Sequence, residues 1–135
     1  MKNIKYLVLG LVCSILLAGA GVDAASYVEY TVIGIEVPGM KGTATVSGEE
    51  YHEGGKQYVK TTNTVDKVNS KTRAASARVH QTLHPAKYSS WVSVPNGEGY
   101  KELGNLDLNY YELQLKENTW SALGFYWYGN WKINQ

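Results

Sequence analysis

The sequence predicts an all-β fold, a small antiparallel β-sandwich of about seven strands placed after an N-terminal export signal. Two observations carry this. Runs rich in Val, Thr, Tyr and Trp recur along the chain, and each stops at a turn signal such as Pro38-Gly39, Glu53-Gly54-Gly55 or Pro95-Asn96-Gly97. The connections between the runs are short, which suits antiparallel pairing rather than crossovers.

The first residues carry Lys2 and Lys5, then an apolar run from Tyr6 to about Ala20, then small residues ending in Val22-Asp23-Ala24. This is the three-part layout of a secretory signal, and it predicts cleavage after Ala24. The apolar run is shorter than the roughly 20 residues that span a bilayer, and no basic stop-transfer flank follows it. Residues 1–24 are therefore read as a signal peptide and residues 25–135 as one domain with a single core. The one cysteine, Cys13, lies in the signal, so the domain has no disulfide, thiol nucleophile or thiolate metal site. Its expected destination is the extracellular space.

The domain begins with a β-branched and aromatic run at residues 27–37, and residues 41–47 follow as a second strand. Residues 57–65 alternate, with Val59, Thr61, Asn63 and Val65 on one face and Tyr58, Lys60, Thr62 and Thr64 on the other. Residues 72–83 fit two periods. As a strand they put Ala75, Ala77, Val79 and Leu83 on one face and Ser76, Arg78, His80 and Thr82 on the other. As a helix they align Ala75, Val79 and Leu83. The strand accounts for more positions. Residues 87–94 form a further strand. Leu106, Leu108 and Tyr110 then alternate, while Tyr111, Leu113 and Leu115 continue on the opposite parity; a β-bulge at Tyr110-Tyr111 would bring all six to one face. The last run, TWSALGFYWYGNWKI, holds three of the four tryptophans.

Removing Lys2, Lys5 and Asp23 takes the 13 basic and 12 acidic residues to 11 of each, so no global field draws the domain to nucleic acid. The distribution is uneven: residues 56–101 contain eight basic residues against Asp66 and Glu98. These cations either pair with acidic neighbours across a sheet or form a basic face toward an anionic envelope component. Arg73 and Arg78 are the candidates for such a face.

Catalytic and metal motifs are absent. No Gly-x-Ser-x-Gly elbow occurs, and the glutamates fall in or beside turns and polar strand faces. His80 and His84 are spaced for zinc only on a helix; on a strand they lie about 13 Å apart at roughly 3.3 Å per residue. The expectation is a protein that is not an enzyme and uses no cofactor or metal. Its aromatic content points to binding instead: 11 tyrosines and four tryptophans against one phenylalanine. Polar-tipped rings suit a surface both apolar and wet, such as a sugar, a lipid headgroup zone or a protein partner. Phe125 and Trp127 point one way and Tyr126 and Tyr128 the other. The expected binding residues are Trp120, Tyr126, Tyr128 and Trp131, with Trp127 in the core.

The export signal, the cysteine-free β domain, the TRAASARV strand and the aromatic stretch from Gly124 to Trp131 together resemble the lactococcin 972 family of secreted bacteriocins. The resemblance covers the signal and loosely the last 65 or so residues. It implies a β-sandwich that acts on the envelope of sensitive bacteria by binding a wall precursor. The chain departs from that family in its longer N-terminal half and in the tail Lys132-Ile133-Asn134-Gln135. The expected function is a secreted, bacteriocin-like, non-catalytic binding protein acting on the cell envelope of other bacteria. Its expected partner is a wall precursor, glycan or lipid headgroup, or a surface protein. The alternative is a cell-surface or matrix component that binds carbohydrate or self-associates.

Overall fold

A computed structural model of the chain describes residues 9–15, 26–46, 48–68 and 73–135. The predicted cleavage point after Ala24 lies outside them, as does Thr72, where the ambiguous segment was expected to begin. The described chain forms eleven strands: β1 (Leu9–Ile15), β2 (Ser26–Val37), β3 (Ala44–Thr45), β4 (Glu50–His52), β5 (Gly55–Asp66), β6 (Ala75–Gln81), β7 (Lys87–Tyr88), β8 (Val92–Val94), β9 (Lys101–Leu106), β10 (Asn109–Glu117) and β11 (Phe125–Asn134). They build two antiparallel sheets that pack face to face, the β-sandwich the sequence predicts.

The first sheet has the order β1-β2-β11-β5-β9. The second runs β3-β10-β6-β7, with β4 beside β3 along β10 and β8 beside β7 along β6. The ambiguous segment resolves as strand β6. Ala75, Ala77, Val79 and Gln81 face inward in register with Glu117, Leu115, Leu113 and Tyr111 of β10. Leu83 falls beyond the strand and is exposed.

Large and small core residues are divided between the sheets. β11 supplies Phe125, Trp127, Trp131 and Ile133, all at most 1% exposed. β6 supplies only Ala75, Ala77 and Val79, and their small volume leaves the interior room for two indoles at native packing density. Each buried indole also finds an acceptor. Trp127 Nε1 donates to Thr61 Oγ1 (2.8 Å), and Thr61 Oγ1 donates in turn to the Val94 carbonyl (2.7 Å), which ties β5 of one sheet to β8 of the other. Trp131 Nε1 donates to Gln57 Oε1 (2.9 Å).

Gly129 controls the centre of the first sheet. A side chain there would meet the Lys60 carbonyl and the Trp127 ring, each at 2.3 Å, so only glycine lets the indole fold back across β11. Both neighbouring strands change register beside it. In β2 the pairing jumps from Trp127–Ile35 to Gly129–Val32, and in β5 from Tyr128–Asn63 to Gly129–Thr61. Each jump is a bulge that reverses which parity faces the core. In β5, Val59 and Thr61 face inward but so do Thr64 and Asp66, while Val65 is exposed. This corrects the single alternation expected for residues 57–65.

The bulge expected at Tyr110-Tyr111 is also replaced. Leu106 closes β9 in the first sheet, the chain turns through the exposed Asp107 and Leu108, and β10 begins in the second sheet. The parity switch there is a change of sheet.

Candidate binding site

Two period-2 strands set up the outer face of the second sheet. Arg78 and His80 of β6 point to solvent opposite Gln114 and Glu112 of β10, and Ser76 opposes Lys116. The edge segments β7 and β8 bring aromatic rings alongside. Tyr88 pairs with His80 across the ladder, and Trp91 sits one step before the Val92–Ala77 pair, beside Arg78. The result is one continuous stacked row.

In that row the Lys116 ammonium lies 4.4 Å from the centre of the Trp91 ring, and the Arg78 guanidinium lies 4.4 Å from the same ring. Arg78 also lies 4.1 Å from the Tyr88 ring, and Tyr88 stacks on His80 at 4.4 Å with the planes 9° apart. Glu112 Oε1 closes the row 3.0 Å from His80 Nδ1. The guanidinium is held edge-on as well, its Nε donating to Gln114 Oε1 (2.8 Å). Below Lys116, Asn118 accepts from Ser76 and donates through Nδ2 to Ser93 Oγ (2.9 Å), so the polar end of the row is ordered.

Chemically the row presents two cations against two aromatic rings. Among the described residues no carboxylate pairs with Arg78 or Lys116, whereas Lys56, Lys67, Arg73, Lys87 and Lys101 all meet one. Each cation–ring contact contributes about 0.5–1 kcal/mol at an exposed site. That fixes the orientation of the charges without neutralising them. An anion meeting this face finds both, and a flat or ring-shaped group finds the rims of Tyr88 and Trp91.

The six residues expected from sequence do not form one site. Arg78 belongs to the row just described. Arg73 stands at one end of the sandwich, ion-paired through Nε with the buried Asp66, and its amide and carbonyl both bond the Thr64 hydroxyl at 3.0 Å. Its charge is satisfied internally, so it does not contribute to an open basic face. Tyr126 is exposed on the outer face of the first sheet with Lys67 Nζ 5.5 Å over its ring, and Tyr128 is half-buried on that face, its ring beside Gly34. Trp120 is 64% exposed, in the loop between β10 and β11. Trp131 is 1% exposed, which corrects its place on an exposed platform: it lies four residues from Trp127 in an unbroken stretch of β11 and faces the core with it. Tyr88, Trp91 and Lys116 were missed. The available signal was the KYSSWVSV run, whose aromatics could have been set against the outward parity of β6.

The histidines are separated in this arrangement. His80 is in the row, His84 is exposed beyond β6, and His52 is fully buried in β4. His52 Nδ1 accepts from the Asn134 amide (3.2 Å), which leaves Nε2 as the donor to the Gly55 carbonyl (3.1 Å). Burial is the main influence on this ring and holds its pKa below the usual histidine value, outweighing its backbone hydrogen bonds. Among the described residues, no three of His, Cys, Asp and Glu come together as a metal site.

No protein-family model matches this chain, and no curated protein or solved structure matches it.

Proposed function

We propose that this is an exported, non-catalytic binding protein, bacteriocin-like, that acts on the cell envelope of other bacteria through the outer face of its second sheet. The observation that carries the reading is the row Lys116–Trp91–Arg78–Tyr88, two cations without carboxylate partners among the described residues, held against the half-buried Trp91 ring and the exposed Tyr88 ring. Its ligand is an anionic envelope component: a wall precursor, a charged wall glycan or a lipid headgroup. The rings supply stacking area and the cations supply charge-assisted hydrogen bonds. No bond-making step is required of such a protein.

The test is retention on isolated bacterial envelopes. Arg78→Ala and Trp91→Ala are each expected to weaken retention by about 1–3 kcal/mol, the range of interface anchors. Both side chains lie on the outer face, so the melting temperature is expected to change little. Retention unchanged in both variants would remove this face from the proposal.

A second reading, a surface or matrix component that self-associates, is favoured by β2. With residues 1–24 removed, β2 is a twelve-residue edge strand carrying neither proline nor lysine, two of the residues that protect such edges. Concentration-dependent assembly of the purified domain in sedimentation would favour this reading over a diffusible antagonist.

A further inference from the structure

Three stretches meet at one end of the sandwich: residues 38–43 after β2, residues 67 and 68 after β5, and residues 118–124 before β11. They are tied to one another. The Met40 amide donates to the Ser121 carbonyl (2.6 Å), and Val68 and Leu123 line one cavity of ≈ 290 Å³ together with Asp66 and Arg73. A side chain on Gly124, whose φ is +78°, would lie 2.0 Å from the Val37 carbonyl, so these backbones touch.

The carboxylates of this end are all satisfied within the protein. Glu117 is 1% exposed and accepts from the Lys41 amide, the Ser121 amide and the Ser121 hydroxyl. Asp66 pairs with Arg73, and Glu36 pairs with Lys67. The apolar groups are turned outward: Met40 is 67% exposed, Val68 65%, Trp120 64% and Leu123 55%. Met40 and Lys41 both have φ of +57°, a conformation that L-residues with side chains adopt at a cost of about 1–2 kcal/mol each. A strained turn anchored by a buried carboxylate thus holds the Met40 side chain out in water.

We propose that this loop tip docks on a lipid bilayer, with Met40, Val68, Trp120 and Leu123 entering the headgroup and upper acyl zone. The side chains project from three separate loops around a polar base, which suits a deformable medium better than a flat protein partner. Trp120 carries the indole that favours the membrane–water interface. Exposed Lys41 and Lys67 stand on the rim, and the acids among the described residues of this end are either buried or ion-paired. The rim therefore offers an anionic surface no net repulsion. The proposal rests on the reading that the protein works at an envelope, and it places the membrane contact at a different part of the molecule from the Arg78 row.

The test uses the chain from Ala25 onward, which keeps the hydrophobic core from Val28 to Ile133, with a cooperative melt as the check on folding. It is mixed with phosphatidylcholine vesicles, with and without phosphatidylglycerol. Trp127 and Trp131 are buried, so a blue shift of tryptophan emission on adding vesicles reports Trp120 or the half-buried Trp91. The expected result is co-sedimentation and a blue shift that Trp91→Phe leaves in place. The double variant Trp120→Ser with Leu123→Ser is expected to lose the shift and lower partitioning by about tenfold or more, with an unchanged melt. Three outcomes would overturn the proposal: no binding to either composition, binding that the double variant does not weaken, or binding to phosphatidylglycerol alone that salt abolishes. Vesicle binding by Arg78→Ala that no longer retains on envelopes would separate this site from the sheet face.

Discussion

Glu117→Gln keeps the volume of the side chain and deletes its charge, and the structure fixes what that removes. The carboxylate accepts three hydrogen bonds, from the Lys41 amide at 3.1 Å, the Ser121 amide at 2.7 Å and the Ser121 hydroxyl at 2.5 Å. Burial alone would raise its pKa. The Ser121 side-chain and backbone hydrogen bonds, the Lys41 amide and the Arg73 charge reverse that effect and hold it below the usual carboxylate value. A hydrogen bond to a charged acceptor contributes about 1.5–3 kcal/mol against about 1 for a neutral one. Replacing the acceptor for three donors, with some rearrangement of the Ser121 hydroxyl, therefore costs about 2–3 kcal/mol at pH 7.

The pH dependence follows from the sign of the shift. A carboxyl whose folded pKa is depressed is fully stabilising above its unfolded pKa, and it loses that contribution as pH falls through the folded value. The gap between wild type and Glu117→Gln is thus expected to be widest from about pH 5 upward and to narrow steadily below that. Urea denaturation of both proteins at pH 7, 5, 4 and 3 measures the gap directly. Subtracting the variant cancels the carboxylates that are not coupled to Glu117. A gap below about 0.5 kcal/mol at pH 7, the scatter of surface substitutions, or one that stays constant with pH, would refute the role given to Glu117.

Two further outcomes are expected. Trp127→Ala and Trp131→Ala should each destabilise the fold by roughly 3–5 kcal/mol, the cost of emptying a large buried site; a Trp131→Ala protein that melts like wild type would show that residue to be outside the core. His52, whose pKa burial depresses, binds its proton more readily unfolded, so its contribution is complete above the unfolded value and falls as pH drops below about 6.5. Melts of wild type and His52→Gln between pH 7.5 and 5 should show the wild type losing stability relative to the variant, and parallel curves would contradict the buried neutral ring.

The parts of this fold legible in the sequence are those where period 2 runs unbroken. β6 is one: Ala75, Ala77 and Val79 face in, and Arg78 and His80 face out, as alternation requires. β11 is another, and there the parity was available but misapplied to Trp131, which shares the face of Trp127. Where a strand bulges, alternation misleads. Asn63 and Val65 were expected to share a face with Val59 and Thr61, but the register jump beside Gly129, where the Trp127 ring of a different strand packs, reverses them. Leu106 and Leu108 misled for a related reason, since a two-residue turn between sheets leaves the same parity change as a bulge. The site was the least legible part. Arg78 was identifiable as an outward cation, but the rings around it arrive from the β7 and β8 segments and Lys116 from β10. Only the sheet order brings them together.

The claim that the outer face of the second sheet binds an anionic envelope component is tested most directly by mapping the contact in solution. Amide, Arg Nε and Trp indole resonances of the isotopically labelled domain can be followed while a soluble anionic wall fragment is added. The Arg78 Nε–H and Trp91 indole signals are expected to shift first and saturably, with the amides around Tyr88 and Lys116, while the Trp127 and Trp131 indoles stay in place. Saturable shifts confined to the outer face of the first sheet around Tyr126 and Tyr128, or no shifts on the second sheet at all, would contradict it.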